Sequence, residues 1–115
     1  MSDDCLFCKI IAGELPSNKL YSDEDVLAFE DIAPAAPTHI LVIPTRHIPA
    51  INKASADDQA LLGKLLLVAN QLASEQGLDA DGFRYVINTG GHGGQTVGHT
   101  HLHILGGRQL GWPPG

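Results

Sequence analysis

Cations, cysteines and long apolar runs are all in short supply in this sequence. Lys and Arg number 7 against 13 Asp and Glu, a formal net charge of −6. Such a balance argues against a broad electrostatic grip on a polynucleotide backbone, which takes clustered cations. A small phosphorylated ligand in one locally positive pocket stays open. The only cysteines, Cys5 and Cys8, are too few to staple a secreted scaffold, so a metal site or two reduced thiols fits better than a disulfide. No apolar run approaches the ~18 residues of a membrane span, and the opening "MSDDCLFCKI" is acidic where a secretory signal is basic and then apolar. A soluble, cytoplasmic protein with neither membrane nor nucleic acid as partner is therefore expected. Repeats and low-complexity tracts are missing as well, and Pro and Gly are spread along the chain instead of gathered into a linker. With 43% hydrophobic residues, residues 1–115 read as a single domain around one core.

What is present sorts into short elements. "CLFCKIIAGELP" predicts a short helix, because Leu6, Ile10 and Ile11 fall at helical spacing, Gly13 suits the stop and Pro16 forbids continuation. "NKLYS" and "DVLAFED" predict a hairpin around residues 23–25. "THILVIP" predicts a buried strand that ends at Pro44. Residues 55–77 predict the long helix, capped by Ser55, with Asp57 and Asp58 at the positive end of its dipole. Its buried stripe is Leu61, Leu62, Leu65, Val68, Ala69 and Leu72. "FRYVIN" predicts a fourth strand and "HTHLHIL" a fifth. Hairpin strands with one long and one short helix describe an α+β fold on an antiparallel sheet of about five strands.

In "HTHLHIL", residues 99–105, His99, His101 and His103 alternate. On a strand they share one face while Thr100, Leu102 and Ile104 share the other. Metal ligation or nucleophilic catalysis accounts for such clustering better than a solvated polar face. A His-x-His pair with His39 from a neighbouring strand as third ligand would make a catalytic zinc site, yet no carboxylate lies near the triplet to complete it or serve as base. Just upstream, "GGHGGQT" offers Gly90, Gly91, Gly93 and Gly94, whose backbone N–H groups can form a nest for an anion. By itself such a loop can equally be a flexible link, and no Gly-Lys-Ser/Thr makes it a Walker loop.

The triad, taken with "FCKIIAGELP", "AFEDIAPAAPTHILVIP", "NTGGHGGQTVGHTHLHILGG" and the tail "RQLGWPPG", resembles the histidine triad (HIT) nucleotide-binding proteins of the HINT branch over nearly the whole chain. The resemblance implies a purine nucleoside phosphoramidase. Its reaction would split the P–N bond of adenosine 5′-phosphoramidates, of the AMP-NH2 or AMP-lysine type, through a nucleotidyl-histidine intermediate, giving AMP and amine. The alternatives it leaves are a dinucleoside polyphosphate hydrolase of the same family, or a nucleotide-binding adaptor with incidental activity.

Residue by residue, His101 matches the nucleophile, with a backbone carbonyl beside His99 holding its second ring nitrogen's proton. His39 matches a fourth histidine that would extend this relay, and His103 the donor to a non-bridging phosphate oxygen. Asn88, Gly94, Gln95 and Thr96 match contacts on the phosphate side, and a relay histidine or Thr96 would protonate the leaving amine. Asp31 matches the ribose acceptor and Ile32 a residue packed on the base. Gly98 stands where relatives often carry a bulky aromatic, which opens the leaving-group side. Cys5, Cys8, His47 and His99 match a structural zinc site whose four protein ligands leave no open position, so no catalytic metal is expected. The resemblance also implies a two-fold homodimer with sheets joined edge to edge and the tail 106–115, including Trp112, at the interface. His92 matches nothing and is expected to face solvent.

Overall fold

A computed structural model describes residues 4–115. Its first helix, α1 (Leu6–Ile11), has Cys5 as N-cap, and the Sγ of Cys5 accepts the Cys8 N–H at 3.3 Å. Six residues make too short a helix to persist alone in water, so burial of Phe7, Cys8 and Ile10 against the sheet holds it. Strands β1 (Lys19–Ser22) and β2 (Val26–Glu30) form the predicted hairpin, and β3 (Thr38–Pro44) follows. Helix α2 (Gln59–Glu75) comes next, then β4 (Phe83–Val86) and β5 (Leu102–Gly106). The five strands lie in the order β1-β2-β3-β5-β4, every neighbouring pair antiparallel. This is the α+β architecture read from the sequence.

The long helix is entered through a 3-10 turn (Ala56–Asp58), and Ser55 and Asp58 close a capping box. Asp58, expected only to favour the dipole, is 5% exposed and pairs with Arg46 as well. Leu65, Val68, Ala69 and Leu72 of α2 pack on Val26, Ala28, Ile40, Val42, Leu102 and Ile104, while Leu61 and Leu62 cover the edge. Alternate strand residues Leu27, Phe29, Leu41 and Ile43 point the other way and meet α1. The sheet is thus a layer between two helices, and β3 is its central strand. Truncating Leu72, which is 2% exposed, to Ala would cost about 2–5 kcal/mol by transfer and cavity terms.

The predicted histidine strand is shorter than expected. Ladder pairing with β3 begins at Leu102, opposite Val42. Upstream, the chain turns off the ladder: the Thr100 N–H and hydroxyl both bond to the Ile48 carbonyl, and the His99 N–H bonds to Val97. The alternation survives nonetheless, with Thr100, Leu102 and Ile104 buried and Phe7 of α1 set edge-on to the His99 and His101 rings.

Candidate active site

Both histidine groups of this molecule lie on the α1 side of the sheet, and hydrogen bonds to the backbone decide what each ring can do. The first group surrounds the cysteines. Cys5 Sγ lies 3.4 Å from His99 Nδ1, Cys8 Sγ 3.2 Å from His47 Nδ1, and the two Nδ1 atoms 3.2 Å from each other. All four ligand atoms fall within 4.8 Å of one another. His99 Nε2 lies 2.9 Å from the Pro44 carbonyl, which can only accept. That nitrogen therefore carries the proton, and Nδ1 presents its lone pair to the sulfurs, as a metal ligand must. Burial, with the Cys5 thiol adding to it, pushes the Cys8 thiol up to about 11. Two thiols and two imidazoles in this arrangement are close enough to hold a metal, a donor set compatible with zinc.

The second group is wired differently. The Ala35 N–H donates to His39 Nδ1 at 3.0 Å, so the His39 proton sits on Nε2. His39 Nε2 lies 2.9 Å from His103 Nδ1, which must then accept, leaving the His103 proton on Nε2. That last atom is buried and has no hydrogen-bond partner among the described residues. Burial lowers both rings' basicity, and His103, depressed further by the His101 and His39 rings, falls to about 4. Both are neutral at pH 7, as the chain of donors requires.

Beside them His101, 4% exposed, is 2.7 Å through Nδ1 from the His99 carbonyl, so its Nε2 holds a lone pair. The His101 and His103 ring centroids are 4.9 Å apart. A nucleophilic nitrogen and an unpaired N–H donor thus occupy adjacent rings.

Asp31, His39 and His103 also fall within metal-binding reach of one another. A metal on His39 Nε2 would drive the ring proton onto Nδ1, against the Ala35 N–H. This geometry favours a proton relay over the metalloenzyme alternative.

His99 meets its two expected roles through different atoms: its carbonyl faces His101 Nδ1, while the Pro44 bond turns its ring to the cysteines. His39 is joined to the triad through His103.

Of the remaining residues, Asp31 stands at the His39 end, with Oδ2 3.4 Å from His39 Nε2 and Oδ1 accepting the Ala33 N–H. Ile32 next to it is 98% exposed. In the glycine loop, a Cβ on Gly93 would collide with the Thr89 carbonyl oxygen, so only glycine fits. Gln95 locks this loop: its Oε1 accepts the Gly90 N–H, and its Nε2 donates to the Pro49 and Val97 carbonyls. Both amide protons are thereby spent within the chain. Asn88 is half-buried, while Gly94, Thr96, Gly98 and His92 are exposed, and a Cβ on Gly98 would meet open space. Sequence reasoning missed Pro44, Ala35 and Phe7. Nothing in a sequence marks a carbonyl or an amide as a partner, and Phe7 lies outside the helical stripe of Leu6, Ile10 and Ile11.

Comparison with known proteins gives the family. The HIT domain model matches residues 12–110. An uncharacterized HIT-like protein of Synechococcus elongatus is 55% identical over 115 residues, covering all of both chains. A purine nucleoside phosphoramidase of Escherichia coli strain K12 is 49% identical over 111 residues, which are 96% of this chain and 93% of that one. Among solved structures, a HIT family hydrolase from Legionella pneumophila superposes with TM-score 0.96 at 52% identity over 97% of this chain and 100% of its own. With a family model spanning residues 12–110 and relatives matched along nearly their full lengths, the chain belongs to the HIT domain family.

Proposed function

We propose that residues 1–115 act as one domain that hydrolyses the P–N bond of purine nucleoside 5′-phosphoramidates. One observation carries this reading: His101, with a lone pair on Nε2, and His103, with a buried N–H that has no partner among the described residues, are neighbouring rings 4.9 Å apart between centroids. His101 Nε2 attacks the α-phosphorus, the P–N bond breaks, and the amine leaves with a proton. Water then attacks the nucleotidyl-histidine, the N–P bond to His101 breaks, and AMP departs, so one hard displacement becomes two easier ones. The His103 N–H meets the non-bridging oxygen on which charge grows, and the neutral His39 behind it keeps that donor in the right tautomer. Because His39 and His103 are neutral, the proton for the departing amine comes from solvent, passed along by the exposed Thr96 hydroxyl. Asp31 takes the ribose hydroxyls and Ile32 covers the base, while Asn88 and Gly94 border the phosphate and Gln95 shapes its loop. The 49% identity to a protein named purine nucleoside phosphoramidase supports the substrate class.

In this reading Cys5, Cys8, His47 and His99 hold a structural zinc, which supplies cross-linking and no reaction chemistry. The cellular setting proposed is the cytoplasm; no helix among the described residues is long and apolar enough to cross a membrane. A homodimer is part of the proposal too, supported by the free edge of β4 and by exposed Leu67, Ile87 and Trp112.

The test is incubation with adenosine 5′-phosphoramidate, an AMP-lysine conjugate and dinucleoside polyphosphates, with mass spectrometry of quenched protein. A nucleotidyl adduct on His101 and faster turnover of the P–N substrates are expected. Preference for the polyphosphates would overturn the substrate class, and binding without an adduct would leave an adaptor.

A further inference from the structure

The cysteine cluster and the reacting ring share one residue. We infer that Cys5, Cys8 and His47 are positioning residues for His101, acting through His99; the kinetic part of this inference rests on the phosphoramidase reading.

His99 is fully buried and tethered at three points. Its N–H bonds to Val97 at 2.8 Å, its Nε2 to Pro44 at 2.9 Å, and its Nδ1 faces Cys5 Sγ at 3.4 Å and His47 Nδ1 at 3.2 Å. Its one remaining polar group, the carbonyl, accepts the His101 Nδ1–H at 2.7 Å. The group that decides which nitrogen of the nucleophile is free therefore belongs to a residue the cluster holds. A single cation satisfies both Nδ1 lone pairs and both sulfurs at once. Without it, two ring nitrogens 3.2 Å apart can share at most one proton, and the His99 Nδ1 lone pair is held only by weak thiol donors at 3.4 and 3.6 Å beside the Pro44 bond.

A second path runs through α1. Phe7 lies between the two cysteines in sequence and stands edge-on to His99 and to His101, centroid distances 5.9 and 5.1 Å. Holding Cys5 and Cys8 thus also holds the ring that backs the nucleophile. No hydrogen bond, ion pair or ring contact joins the cysteines or His47 to Asp31, His39 or His103 among the described residues, and the coupling passes through His99 and Phe7 to His101, so the attacking nitrogen feels it first.

The test compares the full-length wild type, the Cys5→Ser/Cys8→Ser double variant and His47→Gln, each measured with metal content determined. If the double variant does not fold, His47→Gln, altered at the half-buried rim of the cluster, provides the same comparison. Removing such a supporting shell is expected to lower kcat roughly tenfold or more with KM unchanged. Nitrogen-15 NMR should show the His101 proton distributed over both ring nitrogens in the metal-free protein and confined to Nδ1 in the zinc-loaded one. Returning zinc to chelator-stripped wild type should restore both readouts. Wild-type kcat and a pure Nδ1–H tautomer in metal-free variants would overturn the inference. Absence of any P–N cleavage by the wild type would sink the substrate reading instead, and the tautomer measurement would still decide this one.

Discussion

The Cys5–Cys8–His47–His99 group and the Asp31–His39–His103 group sit on one face of one sheet and use the same imidazole, yet one suits a cation and the other protons. The difference lies in which nitrogen the backbone takes. Pro44's carbonyl claims the proton of His99 Nε2 and frees Nδ1 for a ligand, whereas Ala35's N–H claims the lone pair of His39 Nδ1 and commits Nε2 to donating. His101 is the mirror case of His99: its Nδ1 proton goes to a carbonyl and its Nε2 is free. Residue type thus sets what a histidine can do, and a single main-chain partner selects which of those things it does.

The sharpest way to break the contrast is to remove the nucleophile. His101→Ala should cut AMP release by roughly 10⁴-fold or more while calorimetric AMP affinity stays close to wild type. Next, His103→Ala removes a donor at the growing charge and should lower kcat about 10²–10³-fold. His39→Ala, which only frees the tautomer of that donor, should cost less, and stopped assays over a substrate series would rank the two. On the metal side, chelation should remove about 2 kcal/mol or more of stability, lowering the melting temperature by on the order of 5–10 °C. Zinc should restore it.

Acidity offers a finer probe. His103 is held near 4 in the folded chain, chiefly by burial, against 6.5 for a free ring. His39 and His99 are lowered as well, again mainly by burial. The unfolded chain therefore takes up protons first, and stability should fall as pH drops from about 6.5 toward about 4. Thermal melts across that interval check it; a flat profile would mean that these rings are not held neutral. The smallest effect belongs to His92, exposed and outside both groups. His92→Ala should change stability by less than about 0.5 kcal/mol and leave turnover as it was.

Much of the architecture was legible because local chemistry and tertiary packing agree. The stripe Leu65, Val68, Ala69 and Leu72 faces the sheet as its spacing predicts, and the hairpin turns at residues 23–25. The histidine alternation was legible too. The start of β5 was not, since Thr100 leaves the ladder for a carbonyl 52 residues away. Nor was the division of labour: His99 fits both catalytic and metal roles in sequence, and only the distance to Pro44, 55 residues away, separates them. Gln95 stands as a phosphate-side contact by the family resemblance alone, and what no sequence pattern showed is that its amide completes the loop that surrounds it.

Strand β3 carries His39 near its start and Pro44 at its end, and so serves as a ruler between the relay and the cysteine pocket. Five steps of an extended chain set that spacing at roughly 17 Å. Substitutions along the ruler can be absorbed one at a time. Deleting a single residue from its middle would instead put the two ends out of phase, so that either His39 turns toward α2 or the Pro44 carbonyl leaves His99, silencing reaction or anchor according to which half keeps its pairing.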